Sequence, residues 1–107
     1  MIENKVKTKW QKKEIVLNSF LSITNTFTAE IMSEQGYDAL TIDYQHGMIG
    51  FSDLFTMLQS IRNSGVTPIC RVSGLDHAVI SKVMDAGALG IISVSYTHLT
   101  LPTRLPV

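Results

Sequence analysis

The chain has 107 residues but one cysteine, three prolines and no net charge, and each shortage excludes something. Cys70 has no second cysteine to pair with, so no internal disulfide can form and a reducing compartment is the natural setting. Nine acidic and nine basic side chains cancel, which argues against nucleic acid or an anionic membrane as a partner, since both need clustered positive charge. The one basic cluster, Lys5, Lys7, Lys9, Lys12 and Lys13, reads as the solvated face of a first helix, offset by Glu3 and Glu14. No apolar run approaches the roughly 20 residues of a membrane helix, and no apolar segment follows the charged start as in a signal peptide. A soluble, cytoplasmic protein is expected. Gly-x-Gly-x-x-Gly and Gly-x-x-x-x-Gly-Lys are also missing, which removes the usual signs of a doubly wound nucleotide-binding domain.

What is present alternates. Helix formers fill Glu3 to Lys13, with Val6 and Trp10 spaced to dock one face. Ile15 to Ile23 reads as a first strand. A helix from Phe27 to Gln35 follows, with Thr26 or Thr28 near its N-cap and Gly36 as its stop. A second strand covers about Asp38 to Tyr44. Ser52 is placed to cap a helix through Asn63 that turns Leu54, Phe55, Leu58 and Ile61 inward. Thr67 to Val72 is a third strand with Pro68 near its start. A helix from about His77 to Ala86 carries Val79, Ile80, Val83 and Met84 inward, Gly87 ends it, and Leu89 to Val94 is a fourth strand. Short strands without strict alternation, separated by helices, predict a parallel α/β sheet with strands in sequence order. Four strands with three crossover helices correspond to the N-terminal half of a (β/α)8 barrel, whose usual length is about 250 residues.

The chemistry concentrates at Tyr37 to Gly47, Tyr-Asp-Ala-Leu-Thr-Ile-Asp-Tyr-Gln-His-Gly. An apolar strand there empties into Asp43, Gln45 and His46, and strand ends are where α/β enzymes present their reactive groups. Imidazole titrates near neutrality and suits proton transfer, so His46 is the leading candidate, with a purely structural histidine as the alternative. Arg71 stands near the end of the next strand and should converge on the same edge. An arginine in an apolar strand needs an anion. That anion is either a substrate carboxylate or enolate oxygen, matched by the planar guanidinium, or Asp43 in an internal ion pair. Asp85, at the end of a helix, reads locally as a solvated acid beside a glycine stop. Cys70 reads as a small buried hydrophobe, and His77 as an exposed first-turn residue.

Three segments, Thr-Ile-Asp-Tyr-Gln-His-Gly, Pro-Ile-Cys-Arg-Val and Lys-Val-Met-Asp-Ala-Gly-Ala-Leu-Gly-Ile-Ile, together resemble the HpcH/HpaI aldolase family in order and spacing, over about Asn4 to Ile92. The resemblance implies a class II (metal-dependent) pyruvate aldolase. Such an enzyme cleaves a 4-hydroxy-2-oxo acid to pyruvate and an aldehyde through a metal-bound enolate, with Mg2+, Mn2+ or Co2+ as cofactor. It implies His46 as general base acting through a metal-bound water, Arg71 as the stabiliser of enolate charge, and Asp85 as the acid that raises the basicity of the histidine. Asp43 is the alternative partner for His46. Many members carry glutamate where Gln45 stands, and the family's metal-binding Glu and Asp lie in the second half of the barrel, so no metal ligand is expected within this chain. The intact protein is expected to be a homo-oligomer acting on a small 2-oxo acid and an aldehyde; the fragment by itself is expected to be inactive, or only to self-associate. The signature cysteine motif of phosphoenolpyruvate mutase-type lyases is absent.

After Ser93 the texture changes. Val94 to Thr103, Val-Ser-Tyr-Thr-His-Leu-Thr-Leu-Pro-Thr, resembles one reading frame of a transposase-type sequencing adapter. The expected division is therefore 1–93 as partial barrel and 94–107 as a non-native tail, with an ordinary β-rich tail as the alternative.

Overall fold

The computed structural model describes residues 3–44 and 49–94. The tail beyond β4 and the segment holding Gln45 and His46 lie outside them. Eight elements follow one another: α1 (Lys5–Gln11), β1 (Asn18–Leu21), α2 (Thr26–Met32), β2 (Ala39–Asp43), α3 (Phe51–Ile61), β3 (Thr67–Ser73), α4 (His77–Asp85) and β4 (Gly90–Val94). The four strands form one parallel sheet in the order β1-β2-β3-β4, as the alternating pattern predicts.

The two faces of the sheet differ. Leu21, Leu40, Ile42, Cys70 and Val72 face the helices and join Leu54, Met57, Leu58, Ile61 and Val83 in a single core. Alternation sends Phe20, Thr41, Asp43, Ile69, Arg71 and Ile92 to the other, concave face. Every residue of β2 is buried, so this strand is covered on both sides and tolerates only apolar or paired side chains. Thr41 satisfies this by donating its hydroxyl to Asn18 Oδ1 at 2.9 Å.

Several helix details depart from the sequence reading. In α3 the buried stripe is Leu54, Met57, Leu58 and Ile61, an i, i+3, i+4, i+7 set. Phe55 falls one position off that stripe and is exposed, and Met84 in α4 is exposed as well. The chain enters α3 at Gly50 rather than Ser52, with the Gly50 N–H donating to Asp53 Oδ2 at 3.2 Å. Asn25, not Thr26 or Thr28, caps α2, its Oδ1 accepting from the Thr28 N–H at 3.0 Å. The first strand is shorter than expected, and Ile15 and Ile23 are exposed on either side of it.

Helix α1 runs beneath the starting ends of the strands. Its N-cap Asn4 donates from Nδ2 to the Leu89 carbonyl before β4, and Lys9 Nζ lies 2.6 Å from Asp38 Oδ1 before β2. The other oxygen of Asp38 accepts from the Leu17 N–H before β1 at 2.9 Å. Val6, one turn ahead of Lys9, is buried by this docking. Trp10 does not share in it: the Val6 and Lys9 anchors fix the rotation of the helix and leave Trp10 57% exposed. The helix ends at Gln11, and the chain turns at Lys13, a non-glycine residue at φ +59, as the Glu14 N–H returns to the Lys9 carbonyl. The starting end of the sheet is thus closed, and the other end is left for chemistry.

The Leu17 N–H and the Lys9 ammonium hold the Asp38 carboxyl below its ordinary value, while Asp38 holds the Lys9 amine above its own. A depressed carboxyl pKa stabilises the fold above the unfolded-state value of 3.8, and that contribution disappears as pH falls through the lower folded-state value. Asp38→Asn should therefore lower the urea midpoint at pH 7, with the gap to the parent chain closing at pH values below the unfolded-state pKa. Urea titrations across the acid range measure it.

Candidate active-site rim

The register of β2 and β3 sets the site. Asp43, the last residue of β2, lies opposite Arg71 in β3, and both point to the concave face. Arg71 Nε donates to Asp43 Oδ1 at 3.1 Å and Nη2 donates to Oδ2 at 2.6 Å, a bidentate pairing that uses both carboxylate oxygens and one edge of the guanidinium. The Asp43 side chain is 6% exposed and that of Arg71 25%, so the pair is largely withdrawn from water with the arginine as its outer member. Phe20 from β1 lies beneath the cation, its ring centroid 5.0 Å from Arg71 Cζ.

The chain beyond β2 is held to the same spot. The Tyr44 N–H donates to the Arg71 carbonyl at 3.0 Å, which holds the residue after β2 beside the Asp43–Arg71 pair. His46 and Gln45 themselves lie outside the described residues. On the other side, the Ser93 hydroxyl of β4 donates to the Gly74 carbonyl and ties down the loop that follows β3.

Of the residues singled out in the sequence, Asp43 and Arg71 come together; the internal ion pair weighed as one reading of Arg71 is formed. Asp85 does not join them within one chain. As the last residue of α4 it lines a groove of about 510 Å3 with Arg62, Pro68 and Leu89, at the opening ends of β3 and β4. The reason is directional: a crossover helix runs against the strands, so its C-terminus arrives where the next strand begins. His77 is exposed at the start of α4. Cys70 is fully buried, and burial, with a smaller contribution from the Asp43 charge, pushes its thiol up to about 12. It stays protonated near neutrality and is no nucleophile. Phe20 and Ser93 were not singled out in the sequence. Only the alternation of β1 could have pointed to Phe20, and nothing local marks Ser93.

Among the described residues no three His, Cys, Asp or Glu side chains gather as a metal site. The Asp43 carboxylate has both oxygens engaged by Arg71, whereas a hard divalent ion takes several oxygen ligands. These residues by themselves do not fit such an ion. No described helix is long and apolar enough to cross a membrane.

A hydroxypyruvate/pyruvate aldolase of Rhizorhabdus wittichii is 39% identical over 90 residues, which make up 84% of this chain and 36% of that protein. The crystal structure of an HpcH/HpaI aldolase from Desulfitobacterium hafniense superposes with a TM-score of 0.72 at 25% identity, over 80% of this chain and 34% of that one. This is an HpcH/HpaI aldolase-like chain. The crystal structure of citrate synthase SbnG also superposes, with a TM-score of 0.78 at 30% identity, over 85% of this chain and 37% of that one. The aldolase-like chain spans about a third of the length of the relatives it matches, and its four βα-related strands are part of a TIM barrel. No family model matches it.

Two outcomes are expected. Arg71→Ala removes both hydrogen bonds to Asp43 and the cation over Phe20, and should destabilise the fold by about 3 kcal/mol at pH 7. Urea midpoints at pH 7 check the size. The Cys70 thiol should resist a disulfide exchange reagent at pH 8 in the folded chain and react fully in denaturant, as followed by thiolate absorbance.

Proposed function

We propose that the protein to which this segment belongs is a carbon–carbon lyase that cleaves a 4-hydroxy-2-oxo acid to pyruvate and an aldehyde. The observation that carries the reading is the Asp43–Arg71 pair at the open end of a parallel sheet, in a chain aligned with aldolases. Arg71 is fixed by two donors to Asp43 and backed by the Phe20 ring, so its guanidinium is oriented before any substrate arrives. A preorganised cation of this kind favours an oxyanion that develops next to it, which in aldol cleavage is the enolate of the released 2-oxo acid. Aldol cleavage also requires a base to take the proton of the 4-hydroxyl. His46, three residues past Asp43 in sequence, has the right chemistry for that transfer.

A divalent metal, where the protein uses one, takes its ligands from outside the described residues and supplies Lewis acidity toward the bound 2-oxo acid. The 107-residue chain alone is proposed to be catalytically silent, because the described residues of its rim offer a cation and an acid but no ligand set.

The test joins residues 1–93 to the C-terminal portion of the Rhizorhabdus relative and assays pyruvate release from a 4-hydroxy-2-oxo acid. Activity is expected in the chimera. His46→Ala and Arg71→Lys should each lower kcat/KM by about 100-fold or more while far-UV circular dichroism stays unchanged. Full activity in the His46→Ala chimera would remove the histidine from the reaction. A folded chimera with no lyase activity would remove the function.

A further inference from the structure

Phe20 is an aromatic side chain that the core does not use. It stands on the concave face, opposite the cluster that Leu40, Ile42, Cys70 and Val72 form with the helices. Its ring lies under the Arg71 guanidinium, with 5.0 Å from Cζ to the ring centroid.

The register makes this contact a long reach. Phe20 is level with Thr41, and Thr41 with Ile69, so the ring starts one layer below the Asp43–Arg71 level and two strands away from Arg71. Neighbouring strands are about 4.8 Å apart, so the arginine extends over roughly 10 Å, across β2, to meet it. Thr41 leaves that passage open, because it is short and its hydroxyl donates to Asn18 Oδ1 at 2.9 Å.

The two contacts of the guanidinium restrain different motions. The hydrogen bonds from Nε and Nη2 to Asp43 run along one edge and hold that edge in place. The plane can still tilt about the line of that edge, since a carboxylate oxygen accepts over a broad range of directions. An aromatic face beneath the plane opposes the tilt, because a cation is attracted to the face of a ring.

We propose that Phe20 is a positioning residue for the lyase reaction. It acts through Arg71, setting the plane of the guanidinium and with it the direction of the N–H groups that meet the developing oxyanion. This role rests on the proposed lyase function and adds to it the residue that decides which way the cation faces. Asp43 fixes where the cation stands, and Phe20 fixes its tilt. The requirement is for an aromatic face, which apolar bulk alone does not meet.

The chimera carrying residues 1–93 tests it. Phe20→Leu keeps apolar bulk and removes the face, and it should lower kcat by roughly 3- to 10-fold with a smaller change in KM, because the oxyanion is present only in the transition state. Phe20→Tyr should keep the parent rate. In an Arg71→Lys background Phe20→Leu should change kcat by less than about twofold, since an ammonium has no plane to set. A parent-like kcat in Phe20→Leu, an equal loss in Phe20→Tyr, or the same loss with and without Arg71 would each overturn the role and leave the lyase reading in place. A chimera that is inactive before any of these substitutions removes that reading, and this role with it. Should Phe20→Leu lose its far-UV circular dichroism, Phe20→Met takes its place with the same outcomes.

Discussion

The pairing of β2 with β3 in parallel register is the constraint on which the rest of this molecule depends. It sets Asp43 beside Arg71, and that proximity lets a charged side chain remain in an otherwise apolar strand. Removing an arginine from water costs several kcal/mol unless a partner compensates. The compensation here comes from two hydrogen bonds to one carboxylate and the face of Phe20. A one-residue slip of either strand would turn its member of the pair to the helix face, into the core with Ile42, Cys70 and Val72, and part it from the other. Electrostatics and hydrophobic packing therefore enforce the same register.

The two ends of the sheet have different tasks. Helix α1 closes the starting end through Asn4, Val6 and the Lys9–Asp38–Leu17 linkage. The finishing end carries the charge pair, Tyr44 bonded to the Arg71 carbonyl and the loop held by Ser93. That division, stability at one face and chemistry at the other, is the general plan of barrels built from βα units. It also accounts for Asp85, which lies at the opening ends of β3 and β4 because a returning helix delivers its C-terminus there.

Arg71 has a structural duty as well as a proposed chemical one. Its carboxylate partner orients it, so the side chain is already in place when an anion binds, and little reorganisation is needed. The same dependence means that loss of Arg71 harms the fold and the chemistry together. In that proposal Asp43 acts through Arg71, as a positioning residue. Cys70, packed against the helices below this pair, belongs to the core: burial keeps its thiol neutral.

The order of strands and helices was legible in the sequence because it rests on local signals: apolar runs of strand length, glycines past helix ends, and a polar break before each helix. The shared edge of Asp43 and Arg71 was legible too, since a strand ending in Asp43 and another carrying Arg71 must release them at one end of a parallel sheet. Which helix face is buried was less so. Phe55 and Met84 were expected inside, yet the packing of each helix against the sheet left them in solvent, and the docking of α1 at Val6 and Lys9 did the same for Trp10. Hydrophobicity alone does not fix the rotation of a helix to within one residue, whereas contact with a particular neighbour does. The sequence by itself thus determined the α/β alternation, the direction of the strands and the common edge of Asp43 and Arg71. Only the tertiary structure decided that Arg71 turns to Asp43 and Phe20 and that Asp85 lies at the far end, because those outcomes depend on distances between strands and helices remote in the chain.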